Sequence, residues 1–269
     1  MKNKLLVIGA GAMGGGIARQ LVSMHAFAAD EIAVVERDVQ KHTELKQMGV
    51  RVFNDFAQCD VSEYQIILIA VKPQDAEVVL QQLRVLVTQQ HLIISIMAGV
   101  TLDALERALK QKRIVRVMPN LAATVGKGVS AWFTTAGEQD QALVKKMLGA
   151  LGTELQVEDD AAIDRITAIV GCGPGYLYRF ADDLVTAAVK LGLSEKTALE
   201  LVKATILGAS ALWEKSNDLP RELVQKVASK GGATEAALAV LDENKTAEIW
   251  QQAVAAAYAR VRALGQKRP

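Results

Sequence analysis

Gly9-Ala10-Gly11-Ala12-Met13-Gly14 closes the apolar run Leu5-Leu6-Val7-Ile8, and Ile17, Leu21 and Val22 follow at helical spacing. A G-x-G-x-x-G between a buried strand and an amphipathic helix is arranged for phosphate chemistry. The first glycine permits a tight turn, the second lets backbone approach a pyrophosphate, and the third lets the helix pack on the strand. The N–H groups of Ala12, Met13 and Gly14 open the helix and face the phosphates. Ile32-Ala33-Val34-Val35 reads as the second strand and ends on Glu36, 22 residues beyond Gly14, where an acid takes the ribose hydroxyls of a dinucleotide. Arg37 can stack on adenine or pair with a 2'-phosphate, whereas Glu36 accepts from a free 2'-hydroxyl and repels that phosphate. The pair therefore predicts that NADPH and NADH are both used.

Further candidates follow from the rule that ligands lie at the C-terminal ends of parallel strands. The run Gln65 to Val71 ends in Val71-Lys72-Pro73, where proline stops the strand and opens a helix. The next strand, His91 to Ile96, ends in Met97-Ala98-Gly99, whose small residues would let a flat nicotinamide approach the backbone. A sixth strand, Arg113 to Met118, stops at Pro119-Asn120. Val71, Lys72, Pro73, Ala98, Gly99 and Asn120 are thus expected along the cofactor. A second constellation is Ser229-Lys230-Gly231-Gly232-Ala233-Thr234. Two glycines before a threonine at a helix start make a nest of N–H groups suited to a small carboxylate, with a hydroxyl alongside for a substrate nitrogen. On residue types alone, a plain turn with Thr234 as helix cap fits as well. The three histidines, His25, His42 and His91, read as lying on helices or at strand starts away from the cofactor-facing loops. No Ser-His-Asp order, paired catalytic carboxylates or metal spacing is visible, so the cofactor must carry the chemistry and no metal is expected.

The elements that would position these groups divide the chain in two. Up to about residue 158, short β-branched runs alternate with amphipathic helices, which predicts a doubly wound parallel sheet of the Rossmann type. Its late edge strands are Gly128 to Phe133 and Thr153 to Val157. Residues 159–269 are rich in alanine and leucine at helical period, with an interruption expected at Gly171 to Gly175. This all-α domain carries long apolar helices in barely 110 residues, more apolar surface than one copy can cover, so a homodimer is expected.

A net charge of +1 and only 4 % aromatic residues give neither the field nor the stacking surface for nucleic acid. No apolar run approaches the roughly 18 residues of a membrane span, and the first run ends within ten residues in glycines rather than a cleavage site. Two distant cysteines, Cys59 and Cys172, fit a reduced compartment. A cytoplasmic protein acting on a small molecule is expected.

With Gly9 to Gly14, Ala70-Val71-Lys72-Pro73-Gln74, Ser95 to Gly99, Arg116 to Asn120, the Gly171 to Tyr176 segment and Ser229-x-Gly-Gly-Ala-Thr234 in that order, the whole chain resembles the pyrroline-5-carboxylate reductase family. The resemblance implies NAD(P)H-dependent reduction of the cyclic imine 1-pyrroline-5-carboxylate to L-proline, the last step of proline biosynthesis. It also implies an obligate dimer that some members build into decamers, with Thr234 and Ser229 catalytic and Gly232, Ala233 and Thr234 on the substrate. Ala12, Met97, Leu121-Ala122 and Cys172 depart from the family pattern, and Met97 and Leu121 are expected to reshape the pocket beside the nicotinamide. Two further readings accompany this one: a reductase of a related imine, and a nucleotide-binding regulatory protein without turnover. A β-hydroxyacid dehydrogenase shares the two-domain plan, but its lysine and asparagine would fall on Leu177 and Ala181.

Overall fold

The computed structural model describes residues 3–266. Eight strands form one sheet: β1 (Leu5–Ile8), β2 (Ile32–Val35), β3 (Arg51–Phe53), β4 (Ile66–Ile69), β5 (Leu92–Ser95), β6 (Ile114–Pro119), β7 (Gly128–Thr134) and β8 (Gly152–Gln156), in the order β3-β2-β1-β4-β5-β6-β7-β8. Strands β1 to β6 are parallel. The side-chain period of two sorts them onto two faces. Leu5, Val7, Ile66 and Leu68 join Ile17 and Leu21 of α1 (Ala12–Ser23) and Val144 and Met147 of α5 (Glu138–Gly149) in one buried layer. Leu6, Ile8, Ile67 and Ile69 join Leu80 and Leu83 of α3 (Ala76–Arg84) and Leu105 and Leu109 of α4 (Leu102–Leu109) in the other. Burial on both faces explains why these strands are continuous apolar runs rather than alternating ones. The Thr101 hydroxyl caps α4 by accepting from the Ala104 N–H.

The strand order reverses at β1, between β2 and β4, so the crevice above its C-terminal end is where a ligand is received. One expectation is corrected. Strand β7 lies inside the sheet, antiparallel to β6 and parallel to β8, and among the late strands only β8 is an edge. The chain between β6 and β7, residues 120–127, is too short for the dozen or more residues of a parallel crossover. It instead reverses through a 3-10 turn, Leu121–Val125, closed by Gly126 at φ +71°.

The α-helical part comprises α6 (Asp160–Ile166), α7 (Gly173–Lys190), α8 (Glu195–Glu214), α9 (Pro220–Val227), α10 (Ala233–Glu243) and α11 (Thr246–Gln266). The interruption expected at Gly171 to Gly175 is corrected to a π-helical turn over Thr167–Gly171. The Cys172 N–H reaches back five residues to the Thr167 carbonyl at 3.1 Å, and the Thr167 hydroxyl donates to the Ile163 carbonyl at 2.7 Å. A side chain at Gly171 would meet the Met118 methyl at 3.0 Å, so the glycine serves a close approach rather than a stop. By packing, the chain divides into a sheet unit running through Pro174 and including α11 from Ala257, and a helical unit, Gly175–Ala256. Within the helical unit, only Val185 and Ala198 are buried among the apolar residues, while Leu207, Leu212, Trp213 and Val227 are all more than half exposed. Tyr176 meets Trp250 edge to face at 5.8 Å between ring centroids.

Candidate functional site

The glycine loop between β1 and α1 is constrained at two of its three glycines. Gly9 has φ +95°, and a Cβ there would meet the Ala70 carbonyl oxygen at 3.0 Å. Its N–H donates to the Val35 carbonyl at 2.9 Å, tying the turn to β2. A Cβ on Gly14 would lie 2.0 Å from the Gly9 oxygen and 2.8 Å from the Ala70 Cβ, so α1 packs on the strand ends only without one. A Cβ on Gly11 would meet nothing within 4 Å. Gly11 is the N-cap of α1 and no side chain caps the helix, so the first N–H groups, including those of Ala12, Met13 and Gly14, have no intrahelical acceptor. Constraint at Gly9 and Gly14 with open space at Gly11 is what a pyrophosphate at this helix end requires.

Beside the loop lies a cavity of about 710 Å3 that gathers Gly9, Gly11, Glu36, Arg37, Val71 and Lys72 from the sequence-derived candidates. Glu36 is buried, with 7 % of its surface exposed. Its two carboxylate oxygens accept from the Ala10 N–H at 2.6 Å and the Asp38 N–H at 2.9 Å. Lys41 lies 3.7 Å from the same carboxylate and 3.3 Å from that of Asp38. Arg37 is exposed and pairs with Asp75 at 3.1 Å. The Gln40 backbone N–H, and then Lys41, hold the Asp38 carboxyl below its ordinary range, so it is ionised at neutral pH.

The histidine expectation needs two corrections. His25 is in the turn after α1 at φ +55°, not on a helix. His42, at the start of α2 (His42–Gln47), is buried under the cofactor-facing end of β2, where its Nε2 donates to the Glu36 carbonyl at 2.6 Å. The ring thus anchors the backbone that carries Glu36. Sequence reasoning also missed Asp38, Lys41, Asn54, Asp55, Phe56 and Asp75, all of which line the cavity. Applying the strand-end rule to β3 as well as to β1, β2 and β4 would have found Asn54 to Phe56.

Ala98, Gly99 and Asn120 stand just beyond the C-terminal ends of β5 and β6 but do not line the cavity, nor do Ala12, Met13 and Gly14. Gly99 turns the chain at φ +73°. Asn120 is engaged with β7: its side-chain oxygen accepts from the Val129 N–H at 3.2 Å. Met97 is only 2 % exposed and packs in the α3–α4 core layer.

The loop from Ser229 to Thr234 is ordered around Gly232, whose N–H donates to the Ser229 carbonyl at 2.9 Å. A Cβ on Gly232 would lie 2.5 Å from the Ser229 hydroxyl oxygen. The N-cap of α10 is Gly232, and Thr234 is the second helical residue, so Thr234 is not the cap. The expected nest is narrower than two glycines imply. The Gly231 N–H donates to the Glu235 carboxylate at 2.7 Å, leaving the N–H groups of Ala233 and Thr234 in the first turn for a ligand.

Comparison with known proteins places this geometry in a wider setting. Residues 160–264 match the family model described as pyrroline-5-carboxylate reductase dimerisation, and residues 4–99 match that described as NADP oxidoreductase, coenzyme F420-dependent. The chain is 35 % identical to a pyrroline-5-carboxylate reductase of Synechocystis sp., covering 99 % of this chain and 100 % of that one. It is 32 % identical to that of Arabidopsis thaliana, over 98 % and 96 %. Among solved structures, a Coxiella burnetii pyrroline-5-carboxylate reductase superposes with a TM-score of 0.88 at 30 % identity, covering 98 % of this chain and 99 % of that one. The Plasmodium falciparum enzyme, solved with NADP bound, gives 0.88 at 28 % identity, with 98 % of each chain covered.

Proposed function

The chain belongs to the pyrroline-5-carboxylate reductase family, and from that premise we propose how its own residues carry out the reduction of 1-pyrroline-5-carboxylate to L-proline with NAD(P)H. The bound cofactor supplies a hydride to the imine carbon. A protonated imine is already a good electrophile, so the protein's task is alignment rather than activation by a strong base. Gly9, Gly11, Ala12, Met13 and Gly14 hold the pyrophosphate, and Glu36 and Arg37 flank the adenosine. Val71, Lys72, Pro73, Ala98, Gly99 and Asn120 border the path toward the nicotinamide. In the loop before α10, the N–H groups of Ala233 and Thr234 receive the substrate carboxylate and the Thr234 hydroxyl bonds the ring nitrogen. Ser229 and Gly232 shape that loop.

The observation that carries this reading is the open space at Gly11 between two glycines that tolerate no side chain. Of the two departures behind the reading as a regulatory protein without turnover, Met97 is buried in the core, which speaks against that reading, and Leu121 is exposed. The functional division we propose is 1–158 for the dinucleotide and 159–269 for dimerisation and substrate, supported by the matched span 160–264. Self-association follows from that match and from the uncovered helices, and the assembly is proposed to be a homodimer or a decamer built from dimers. No described helix is long and apolar enough to cross a membrane, and a cytoplasmic location is proposed from the small-molecule chemistry. The test is oxidation of NADH or NADPH on adding 1-pyrroline-5-carboxylate, with proline identified as product. Turnover with both products accounted for is expected, and no imine-dependent oxidation with either cofactor overturns the proposal.

A further inference from the structure

The corner of the cavity at the end of β2 contains two cations and three carboxylates. Lys41 is paired with Asp38 at 3.3 Å and lies 3.7 Å from Glu36, and Arg37 is paired with Asp75 at 3.1 Å. These two positive charges are therefore already matched, with one carboxylate in excess; Lys72, which also lines the cavity, has no ion pair among the described residues. Glu36 is held in place from three sides: by the Ala10 N–H, by the Asp38 N–H, and through its carbonyl by His42. A carboxylate has about four acceptor sites, so two N–H partners leave room for ribose hydroxyls to donate.

Resting on the reductase reading above, we infer that this corner selects NADH over NADPH, with Glu36 as hydroxyl acceptor and Asp38 as the residue that withholds Lys41 from a 2'-phosphate. A free 2'-hydroxyl gains a charge-assisted bond to Glu36 and disturbs neither ion pair. A 2'-phosphate brings close to two negative charges beside a buried carboxylate that cannot swing away. To be neutralised by Lys41 or Arg37 it must take the one from Asp38 or the other from Asp75, leaving a carboxylate unmatched in either case. Arg37 alone, read from the sequence, favours the phosphate; its engagement with Asp75 is what changes the reading.

The test is direct binding by isothermal titration calorimetry of NADH and NADPH to the full-length protein, without substrate. The wild-type chain is expected to bind NADH at least about tenfold more tightly than NADPH, one such charge conflict being enough for that ratio. D38N preserves an oxygen for the Gln40 N–H, so the turn is retained while Lys41 is released. It should move the NADH-to-NADPH affinity ratio toward NADPH at least about fivefold, with unchanged far-ultraviolet circular dichroism. Because Glu36 also ties down the glycine loop, E36Q, which keeps the shape and one acceptor, is the second variant, and it should shift the ratio in the same direction. Equal or tighter binding of NADPH by the wild-type chain overturns the inference and leaves the reductase reading standing, as does a ratio unmoved by D38N and E36Q. Binding of neither cofactor overturns both.

Discussion

The sheet unit and the helical unit spend their apolar residues in opposite ways. In the sheet unit Leu5, Leu6, Ile66, Ile67, Leu105 and Ile114 have no exposed surface, and two helical layers complete the interior. In the helical unit Leu199, Leu201, Leu207, Leu212 and Trp213 of α8 are each at least half exposed, in a segment with only two buried apolar residues. A chain segment that buries so little has little to offset the entropy of ordering it. The first unit is stabilised by its own core, whereas the second leaves its apolar faces uncovered, and the match to a family model described as dimerisation is what suggests self-association as the cover.

The sharpest way to break that contrast is a charge on the exposed helices. Leu207→Glu is expected to abolish the dimer at micromolar concentration and activity with it, weakening association by at least about a hundredfold because two-fold symmetry buries the carboxylate twice without a partner. Light scattering after gel filtration checks the mass. In contrast, Leu105→Ala should cost about 2–5 kcal/mol of stability while the mass stays dimeric. An intact Leu207→Glu dimer would remove that helix face from the interface.

Within the sheet unit the glycine loop supplies its own contrast. Gly14→Ala forces a methyl to within 2.0 Å of the Gly9 oxygen and should cost about 3 kcal/mol, seen as a lower melting temperature together with lost dinucleotide binding. Gly11→Ala meets nothing, so stability should stay within about 0.5 kcal/mol of wild type while cofactor affinity falls. Equal effects on stability would show that Gly11 is structural after all. In the helical unit, Thr234→Ala should lower kcat/KM for the imine by about 1–3 kcal/mol with cofactor affinity unchanged. A fall in cofactor affinity instead would assign Thr234 to the fold. A last contrast concerns Cys59, whose thiol burial pushes up to about 11. The raised value disfavours the thiolate, so alkylation near pH 8 should run about a hundredfold slower than for free cysteine. It should accelerate as pH rises toward that value or as the sheet unit is unfolded. Fast labelling of the folded protein would mean that this core opens locally.

Much of this was legible in order along the chain, because its signals are local. The runs Leu5 to Ile8 and Ile32 to Val35 rest on the apolar character of a few neighbouring residues. The geometry of the glycine loop was legible for the same reason: the constraints at Gly9 and Gly14 and the open space at Gly11 belong to one turn and the first turn of one helix. What one-dimensional reading misjudged depends on residues far apart. The inward position of β7 is set by a connection too short to cross over, and the π turn at Thr167–Gly171 ends on a glycine that packs against Met118 of β6. The charges at Glu36 and Arg37 were readable as types. That each is already answered by Lys41 and Asp75, from a different turn and from the loop after β4, was decided only by the tertiary structure, because electrostatic pairing depends on distance in space and not on separation along the chain.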